Sequence, residues 1–384
     1  MATETKLLLM SADNHIVEPP DLWTKNIESK FKDRAPRLIV GDEFDWWCVE
    51  GGQSLGSIGN TTNAGARFRT DRPDEIPAEG RWESVLPGAY DPNEAIKDMD
   101  IDGVYGGAIF PTMCVGGMWR MDDPVLFSAI CRTYNDWIAD FCHSYPDRLK
   151  GVAMINLDDV AEGVKELRRA HDLGLTSSFI TIYPKHGRQY HRDEYEPFWR
   201  ASEEMGMPIC LHSGTNRDFL PMNLYDPADE NEPLGVIYAT NDYWVRRSVT
   251  SMILSGVFER YPELKVVSVE NEAGWAAQWL YKMDLLQRDR GMMWPRFKND
   301  MTPSDFFHRN VFITFQEDYV AVSGREHIGL GNLLWGSDYP HTEGTWPDSR
   351  RIIGEVFAGT TQEELRIMTH DNTAKVFGFT PQLA

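Results

Sequence analysis

Carboxylate and imidazole side chains stand where several short apolar segments of this sequence end. Asp13 and His15 come at the end of the first segment, and because residues i and i+2 of a strand project to one face, both can point the same way. His212 ends a second apolar segment and Asp338 a third. Singly, each residue could cap a helix or make a local polar contact. Together they predict a divalent metal site with an open position for water or substrate.

Two further residues are candidates for moving a proton. Glu270 ends another apolar segment, where it could act as an acid or base or form a salt bridge. His341 follows Asp338 by three positions and could orient that carboxylate or donate a proton itself. We rank Glu270 first and His341 second as proton donors. Asp338 could take a proton from metal-bound water, so the candidate catalytic residues are Asp338, Glu270 and His341.

Bringing these residues together requires the apolar segments to be neighbouring strands. Eight segments are continuously apolar, as parallel strands covered on both faces are, at residues 6–13, 104–110, 151–155, 177–183, 208–212, 265–270, 311–314 and 333–337. Helix-like segments lie between them, at residues 124–145, 160–173, 194–205, 243–261, 274–288, 303–310 and 362–377. This alternation predicts an α/β fold, a closed TIM-like (β/α)8 barrel whose strand ends meet at one mouth.

Two long segments interrupt the alternation of strands and helices. Residues 34–90 and 214–238 are rich in turn-forming residues, and each follows a predicted strand. They could be lids over the mouth or contacts between subunits. For the first, we expect part of residues 46–81 to lie within contact range of the metal-site pocket. Aromatic residues could line that pocket or simply pack in the core, and the candidates are Trp46, Trp47, Trp82, Trp119, Tyr190 and Tyr225. Arg188, Arg192 or Arg217 could pair with a substrate carboxylate.

Length and charge exclude several classes of function. The chain has 384 residues, with 59 acidic against 38 basic residues and a net charge of −21, so we expect no nucleic-acid and no membrane partner. Residues 1–384 fit one barrel domain with an insertion at about 34–90. The five scattered cysteines show no disulfide pattern, and no signal peptide or spanning segment is visible, so a cytoplasmic protein is expected.

Longer motifs carry a resemblance to a known family over nearly the whole chain. In chain order they are DNHIVEP at 13–19, DLW at 21–23, DMDIDGV at 98–104, YNDW at 134–137, PDRL at 146–149, LH at 211–212, SGVF at 255–258, Glu270 with GW at 274–275, GSDYPH at 336–341 and DNTAKVFG at 371–378. Their order and spacing resemble the amidohydrolase superfamily, specifically its amidohydrolase-2 branch, related to aminocarboxymuconate-semialdehyde decarboxylase.

The resemblance implies a distorted (β/α)8 barrel with one divalent metal ion at the strand ends. The metal ligands of the family map onto Asp13, His15, His212 and Asp338. Two departures from the family pattern leave the identity of the metal and of the proton donor open. The first ligand is Asp13 where the branch often has His or Glu, so zinc, manganese and magnesium all remain candidates. Glu270 stands where the better-known decarboxylases have a histidine, which leaves the proton donor open.

Two reactions and one non-catalytic role fit these residues. The first reaction is non-oxidative decarboxylation of a small aromatic or unsaturated carboxylic acid, which the resemblance favours. The second is hydrolysis of an amide, ester or activated C–C bond by metal-activated water. The third possibility is a metal-stabilised scaffold without catalytic activity. The expected partners are a small-molecule carboxylic acid, amide or ester and a second copy of the chain, in a homodimer or larger homo-oligomer.

Overall fold

A computed structural model describes residues 7–49, 53–117, 119, 121–217, 234–293 and 296–380. Eleven strands are present in this part of the chain. The strands that form the main sheet are β1 (Leu9–Ile16), β5 (Val104–Pro111), β6 (Leu149–Met154), β7 (Ser177–Tyr183), β8 (Ile209–Asn216), β9 (Val266–Val269), β10 (Val311–Phe315) and β11 (Leu333–Trp335). A smaller sheet holds β2 (Arg37–Val40), β3 (Asp45–Val49) and β4 (Gln53–Ser57).

The main sheet is parallel and follows the order of the chain, β1-β5-β6-β7-β8-β9-β10-β11. Every residue of β1 and of β7 is buried, so neither strand alternates between buried apolar and exposed polar residues. Helices lie between successive strands, so the predicted barrel is confirmed. Seven of the eight strands lie within three residues of their predicted bounds at each end, whereas β8 continues four residues past the predicted end.

The first and last strands meet at a seam that nearly closes the barrel. The Asp338 amide donates to the Asp13 carbonyl at 2.7 Å, and the His15 amide donates to the Tyr339 carbonyl at 2.6 Å. Gly336 lies against this seam, where a Cβ would come 2.7 Å from the Asp13 Cβ. The seam therefore depends on a residue without a side chain, and it carries three of the predicted metal ligands.

The helices cover the outside of the barrel. The longer ones are Pro92–Asp102, Pro124–His143, Val160–Asp172, Glu196–Met205, Asp242–Leu254, Trp275–Arg290, Pro303–Asn310 and Ser349–Val356. Shorter α-helices span Leu22–Asn26, Gly59–Thr62, Met113–Gly116, Leu234–Ala239, Val257–Arg260, Tyr319–Ser323, Arg325–Ile328, Gln362–Arg366 and Asn372–Phe377, with a π-helical turn at Ile367–Asp371. No helix among the described residues is long and apolar enough to cross a membrane.

Three-residue and six-residue 3-10 helices connect these elements, at Ser29–Arg34, Ala66–Phe68, Pro73–Glu75, Trp82–Ser84, Pro87–Ala89, Asp193–Tyr195, Gly291–Met293, Lys298–Asp300 and Leu330–Asn332. One of the predicted helices is interrupted in the structure. The segment predicted as one helix at 243–261 is divided at Gly256, whose φ of 74° lies in the left-handed region. Glycine adopts that conformation without the clash that a Cβ would introduce.

The insertion after β1 contains the antiparallel sheet β2-β3-β4, although its sequence predicts an irregular segment. Its strands have only four or five residues, and the pairing of β3 with β4 is interrupted by a bulge, so no clear alternation marks them. Trp47 of β3 is fully buried and packs edge-on against Trp23, with ring centroids 5.5 Å apart. This contact attaches the insertion to the barrel.

Replacing Gly336 with alanine tests the seam. We expect Gly336→Ala to lower the free energy of unfolding by about 1–3 kcal/mol, because the new methyl group overlaps the backbone and Cβ of Asp13. Thermal unfolding measures the effect. Gly354→Ala is the matched control, since a Cβ on Gly354 would meet nothing within 4 Å inside a helix and should be neutral or stabilising. Equal melting temperatures for both variants would contradict this account of the seam.

Candidate metal centre and cavity

The barrel mouth brings the four predicted metal ligands together. His15 Nε2 lies 3.5 Å from Asp13 Oδ1 and 3.5 Å from Asp338 Oδ1. His212 Nε2 lies 3.8 Å from Asp13 Oδ1. All four side chains are at most 2% exposed. Asp13, His15 and His212 form one group whose ligand atoms lie close enough for a shared ion, and His15 and Asp338 form another with His341.

The two imidazoles of the cluster face each other through their Nε2 atoms, 3.1 Å apart. His15 Nδ1 lies 2.8 Å from the Pro111 carbonyl and His212 Nδ1 lies 3.1 Å from the Ser213 carbonyl, so each Nδ1 donates its hydrogen to an acceptor. Neutral rings would then direct two Nε2 lone pairs at each other. Either a proton on one of the rings or a metal ion would remove this repulsion.

Protonation and metal binding therefore compete for this position. Burial, together with the charge of His341, lowers the pKa of His15 to about 3, so His15 is neutral and its Nε2 is free to bind a metal. Burial alone would lower the pKa of His212, but the charge of Glu270 and the contact with Asp13 raise it instead. A proton on His212 is thus the alternative to a metal ion.

The carboxylates of the cluster have fewer hydrogen bonds than buried oxygens usually make. Within the described residues, Asp13 Oδ1 and Asp338 Oδ2 have no hydrogen-bond donor, and the close polar partner of Asp338 Oδ1 is His341 Nδ1, at 2.9 Å. Unpaired buried carboxylate oxygens are strongly unfavourable unless a cation lies beside them. Two imidazole nitrogens and these oxygens are a mixed N/O donor set of the kind that binds manganese or zinc. The residues present therefore fit a divalent metal ion.

Glu270 lies beside this cluster with its backbone in a strained conformation. Its Oε2 is 3.3 Å from His212 Nε2, and its side chain is 22% exposed. It directly follows β9, and its φ of 57° is in the left-handed region, which is costly for a residue with a Cβ. Burial, with the charges of Asp338 and Asp13 and against that of His212, raises the pKa of Glu270 to about 8. Burial thus favours the protonated form of Glu270.

His341 lies on the other side of Asp338. Its Nδ1 is 2.9 Å from Asp338 Oδ1, its Nε2 is 3.2 Å from Thr112 Oγ1, and its ring stacks on that of His15 at 4.1 Å. Burial opposes protonation, but the charge of Asp338 raises the pKa of His341 to about 10. The raised pKa favours a positively charged His341, which holds Asp338 by the contact at 2.9 Å. This contact suits the orienting role that the sequence suggested for His341.

A cavity of about 760 Å³ opens from the cluster. Its described lining residues include Asp13 and Glu270 but not His341. Phe315 and the apolar residues of the insertion provide flat hydrophobic walls, and the full lining is Asp13, Asn60, Arg67, Pro73, Ile76, Pro77, Ala78, Tyr238, Asn241, Glu270, Glu272, Thr314, Phe315, Gln316, Gly336, Thr342 and Glu343. Of the two candidate proton carriers, Glu270 is thus the one that lines this cavity.

The insertion covers this cavity, so the expectation that part of residues 46–81 contacts the metal-site pocket is confirmed. Thr342 Oγ1 donates to the Asn60 carbonyl at 2.8 Å, and Arg67 Nε donates to the Gly344 carbonyl at 3.1 Å. Arg67 also forms a close ion pair with Glu317. The insertion is therefore attached to the loop after β11, which carries Asp338.

Several residues that line the cavity were not predicted from the sequence. Arg67 lies in a segment without periodicity, so no pattern could distinguish it. Glu272 and Glu343 repeat the i, i+2 spacing behind Glu270 and His341, a signal that was present and unused. Glu343 also forms a potential ion-binding group with Glu270 and Asp338.

Other candidates proved to be elsewhere. Arg188 and Arg217 both contact Asp158, and Arg217 is almost fully buried there. Of the aromatic residues that the sequence suggested for the pocket, Trp46, Trp47, Trp82, Trp119 and Tyr190 are not among its described lining residues, and Tyr225 lies outside the described part of the chain. The second excursion lies largely outside it too, at residues 218–233.

Solved structures with the same fold extend over the whole chain. An amidohydrolase from Mycobacterium avium subsp. paratuberculosis K-10 superposes with a TM-score of 0.77 at 20% identity, covering 97% of this chain and 100% of the other. A 5-carboxyvanillate decarboxylase from Novosphingobium aromaticivorans DSM 12444, complexed with manganese and 4-hydroxy-3-methoxy-5-nitrobenzoic acid, gives a TM-score of 0.67 at 19% identity and covers 98% of each chain. At these identities the likeness establishes the fold.

Sequence comparison finds a curated relative and a family. The gamma-resorcylate decarboxylase of Rhizobium sp. strain MTP-10005 is 25% identical over 231 residues, which are 55% of this chain and 65% of the relative. This chain thus spans slightly less than two thirds of that relative. A family model described as Amidohydrolase matches residues 84–379. Because that match covers well over half of the sequence, the chain belongs to the amidohydrolase family.

Proposed function

We propose that the protein is a metal-dependent enzyme that decarboxylates a small aromatic acid without oxidation. The observation that carries the proposal is the position of Glu270, a carboxyl group whose pKa burial raises to about 8, at a cavity beside the cluster of buried metal-ligand residues. An acid held in its protonated form near neutral pH suits a reaction that replaces a carboxyl group with a proton. The names of the curated relative and of one structural neighbour, both decarboxylases of aromatic acids, support the same reaction.

The proposed metal ligands are Asp13, His15, His212 and Asp338. We propose one divalent ion and put manganese first, because the donor set is mixed and a structural neighbour binds manganese. When bound, such an ion supplies positive charge that attracts the anionic oxygens of a substrate. Asp338 is also held by the charged His341, which fixes its oxygens toward the cluster.

Glu270 is the proposed proton donor. Its carboxyl proton would pass to the ring carbon that bears the substrate carboxylate, forming a C–H bond. The C–C bond to the carboxylate then breaks, its electron pair returns to the ring, and carbon dioxide leaves. Glu270, now a carboxylate, regains its proton from water. The insertion forms part of the cavity wall, and we propose that it limits the access of bulk water to this step.

Arg67 is proposed to bind the anionic substrate. It is the one cationic side chain among the described lining residues, which also include four acidic residues, Asp13, Glu270, Glu272 and Glu343. Without Arg67, those acidic residues that are ionised would repel an anionic acid. Apolar atoms of the insertion and Phe315 suit the faces of a planar ring.

We also propose that residues 1–384 act as one barrel domain with an insertion at about 34–90, and that the protein works in the cytoplasm. All five cysteines are buried and none forms a disulfide, which supports a reducing compartment. A homodimer or larger homo-oligomer stays a prediction, and light scattering on the purified protein measures it.

Removing one proposed ligand tests the metal site. We expect the purified protein to bind one Mn²⁺ per chain and to unfold at a higher temperature when Mn²⁺ is added, because a ligand of the native state stabilises it. His212→Ala should lose both properties while keeping the circular dichroism of the metal-free protein. His171→Ala, on the outer helix Val160–Asp172, is the control and should bind Mn²⁺ normally. Full metal occupancy in His212→Ala would refute the ligand assignment.

Carbon dioxide release tests the reaction and the role of Glu270. We expect a screen of hydroxybenzoic acids with the Mn²⁺-loaded protein to find one that releases carbon dioxide. Glu270→Gln should then lower kcat at least ~100-fold, because it removes the proton donor, and should leave the metal content unchanged. Glu263→Gln, at the exposed start of the same strand region, is the control.

Two results would contradict this mechanism. An unchanged kcat in Glu270→Gln would assign Glu270 to structure and transfer the proton to His341. Turnover of esters or amides, with no carbon dioxide from any acid, would replace decarboxylation by hydrolysis.

Substitution of Arg67 tests substrate binding. Arg67→Met should raise KM at least ~10-fold and change kcat less, because it removes charge attraction that acts before the chemical step. Arg72→Gln is the matched control, since Arg72 lies on the same insertion, is exposed and pairs only locally with Asp74 and Glu75. Equal KM values for the Arg67→Met variant and the unmodified protein would remove Arg67 from the binding site.

A further inference from the structure

A short segment at the end of β5 contacts the imidazoles of His15 and His341, on one side of the proposed metal site. The Pro111 carbonyl accepts the hydrogen of His15 Nδ1 at 2.8 Å, and Thr112 Oγ1 lies 3.2 Å from His341 Nε2. Residues 111–114, which we name the β5 bracket, therefore fix the tautomer of His15 and the ring orientation of His341. An imidazole ligand is oriented by the hydrogen bond of its second nitrogen.

The β5 bracket is held in turn by a buried carboxylate. Glu18 is fully buried, and its side chain accepts the backbone N–H of Met113 at 2.9 Å and that of Cys114 at 3.1 Å. In the described chain no lysine or arginine forms an ion pair with Glu18. Burial raises the pKa of Glu18, against the effect of its backbone hydrogen bonds. A buried carboxylate without a cation is a costly feature for purely local structure.

Glu18 holds the β5 bracket by two hydrogen bonds because its carboxylate has two acceptor oxygens. One oxygen binds each of two successive N–H groups, so the β5 bracket cannot rotate about a single hydrogen bond. The bracket then presents the Pro111 carbonyl and the Thr112 hydroxyl in fixed directions. A glutamine could supply only one acceptor atom and would bring a buried N–H₂ group that needs acceptors of its own.

We propose that Glu18 is a positioning residue for the metal centre, acting through the β5 bracket on His15 and His341. This inference deepens the proposed function and rests on it for the identity of the bound ion. Glu18 touches neither the cavity nor the proposed ligands, so its effect is on the affinity for the ion and on the two imidazoles. Residues that orient metal ligands in this way commonly change metal affinity 10–100-fold when they are replaced.

A titration of metal-free protein with Mn²⁺ tests the proposal. Glu18→Gln should raise the Kd for Mn²⁺ roughly 10–100-fold. Glu166→Gln is the matched control, because Glu166 is also a buried glutamate, hydrogen-bonded to Asn135 and paired with Arg169 away from the mouth. The control should lose comparable thermal stability but keep the Kd of the unmodified protein. An unchanged Kd in Glu18→Gln, or an equal rise in Glu166→Gln, would overturn the inference.

Imidazole NMR on metal-free protein labelled with ¹⁵N-histidine provides a reading that needs no metal. The Nδ1 and Nε2 signals of His15 and His341 should shift or broaden in Glu18→Gln and stay in place in Glu166→Gln. If the unmodified protein binds no Mn²⁺, the proposed function fails, while this measurement still decides the role of Glu18. Unmoved signals in Glu18→Gln would refute it.

A second variant covers the case in which Glu18→Gln does not fold. Thr112→Val removes the hydroxyl that the β5 bracket offers to His341 and keeps the shape of the side chain. We expect the His341 Nε2 signal to move in Thr112→Val and to return in Thr112→Ser, which restores the hydroxyl. The same His341 signal in all three proteins would show that the β5 bracket does not orient this ring, against the proposal.

Discussion

Two imidazole nitrogens that face each other at 3.1 Å, with buried carboxylate oxygens around them, set the central constraint on this molecule. Each lone pair is directed inward because the other ring nitrogen donates to a backbone carbonyl. A buried arrangement of this kind is unfavourable until positive charge enters it. The pKa values of two neighbouring groups are shifted as well: the charge of Asp338 raises that of His341, and burial raises that of Glu270.

The backbone near the cluster is strained at the residues that matter for this constraint. Glu270, Glu272 and Asp338 all have φ between 50° and 57°, a region that residues with a Cβ avoid. Each follows a strand of the barrel, and Asp338 is fixed in place by its hydrogen bond to the Asp13 carbonyl. Strain of about 1–3 kcal/mol for each residue is typical of functional sites and persists because the surrounding barrel determines the conformation.

Much of this arrangement could be predicted from the sequence, because buried parallel strands are apolar throughout and polar residues at their ends must meet at one mouth. Asp13, His15, His212 and Asp338 were found in that way, and the structure places them together. Arg67 could not be found, because the insertion has no periodicity and its approach to the cavity depends on tertiary contacts with the loop after β11. The aromatic candidates in the described part of the chain do not line the cavity, and large rings such as Trp47 and Trp119 fill the core instead.

The seam between the first and last strands joins parts of the chain that are far apart in sequence. Ser11 and Ser337, which are hydrogen-bonded across it, are separated by 326 positions. A divalent ion held by Asp13 and His15 on one side and Asp338 on the other would act as a cross-link that closes a loop of nearly the whole chain. The entropy of closing a loop grows only slowly with its length, yet it is largest for the longest loops. If such an ion stays bound to the unfolded chain, it therefore lowers the conformational entropy of that chain. Loss of the ion would first separate the two ends of the barrel, β1 and the loop after β11.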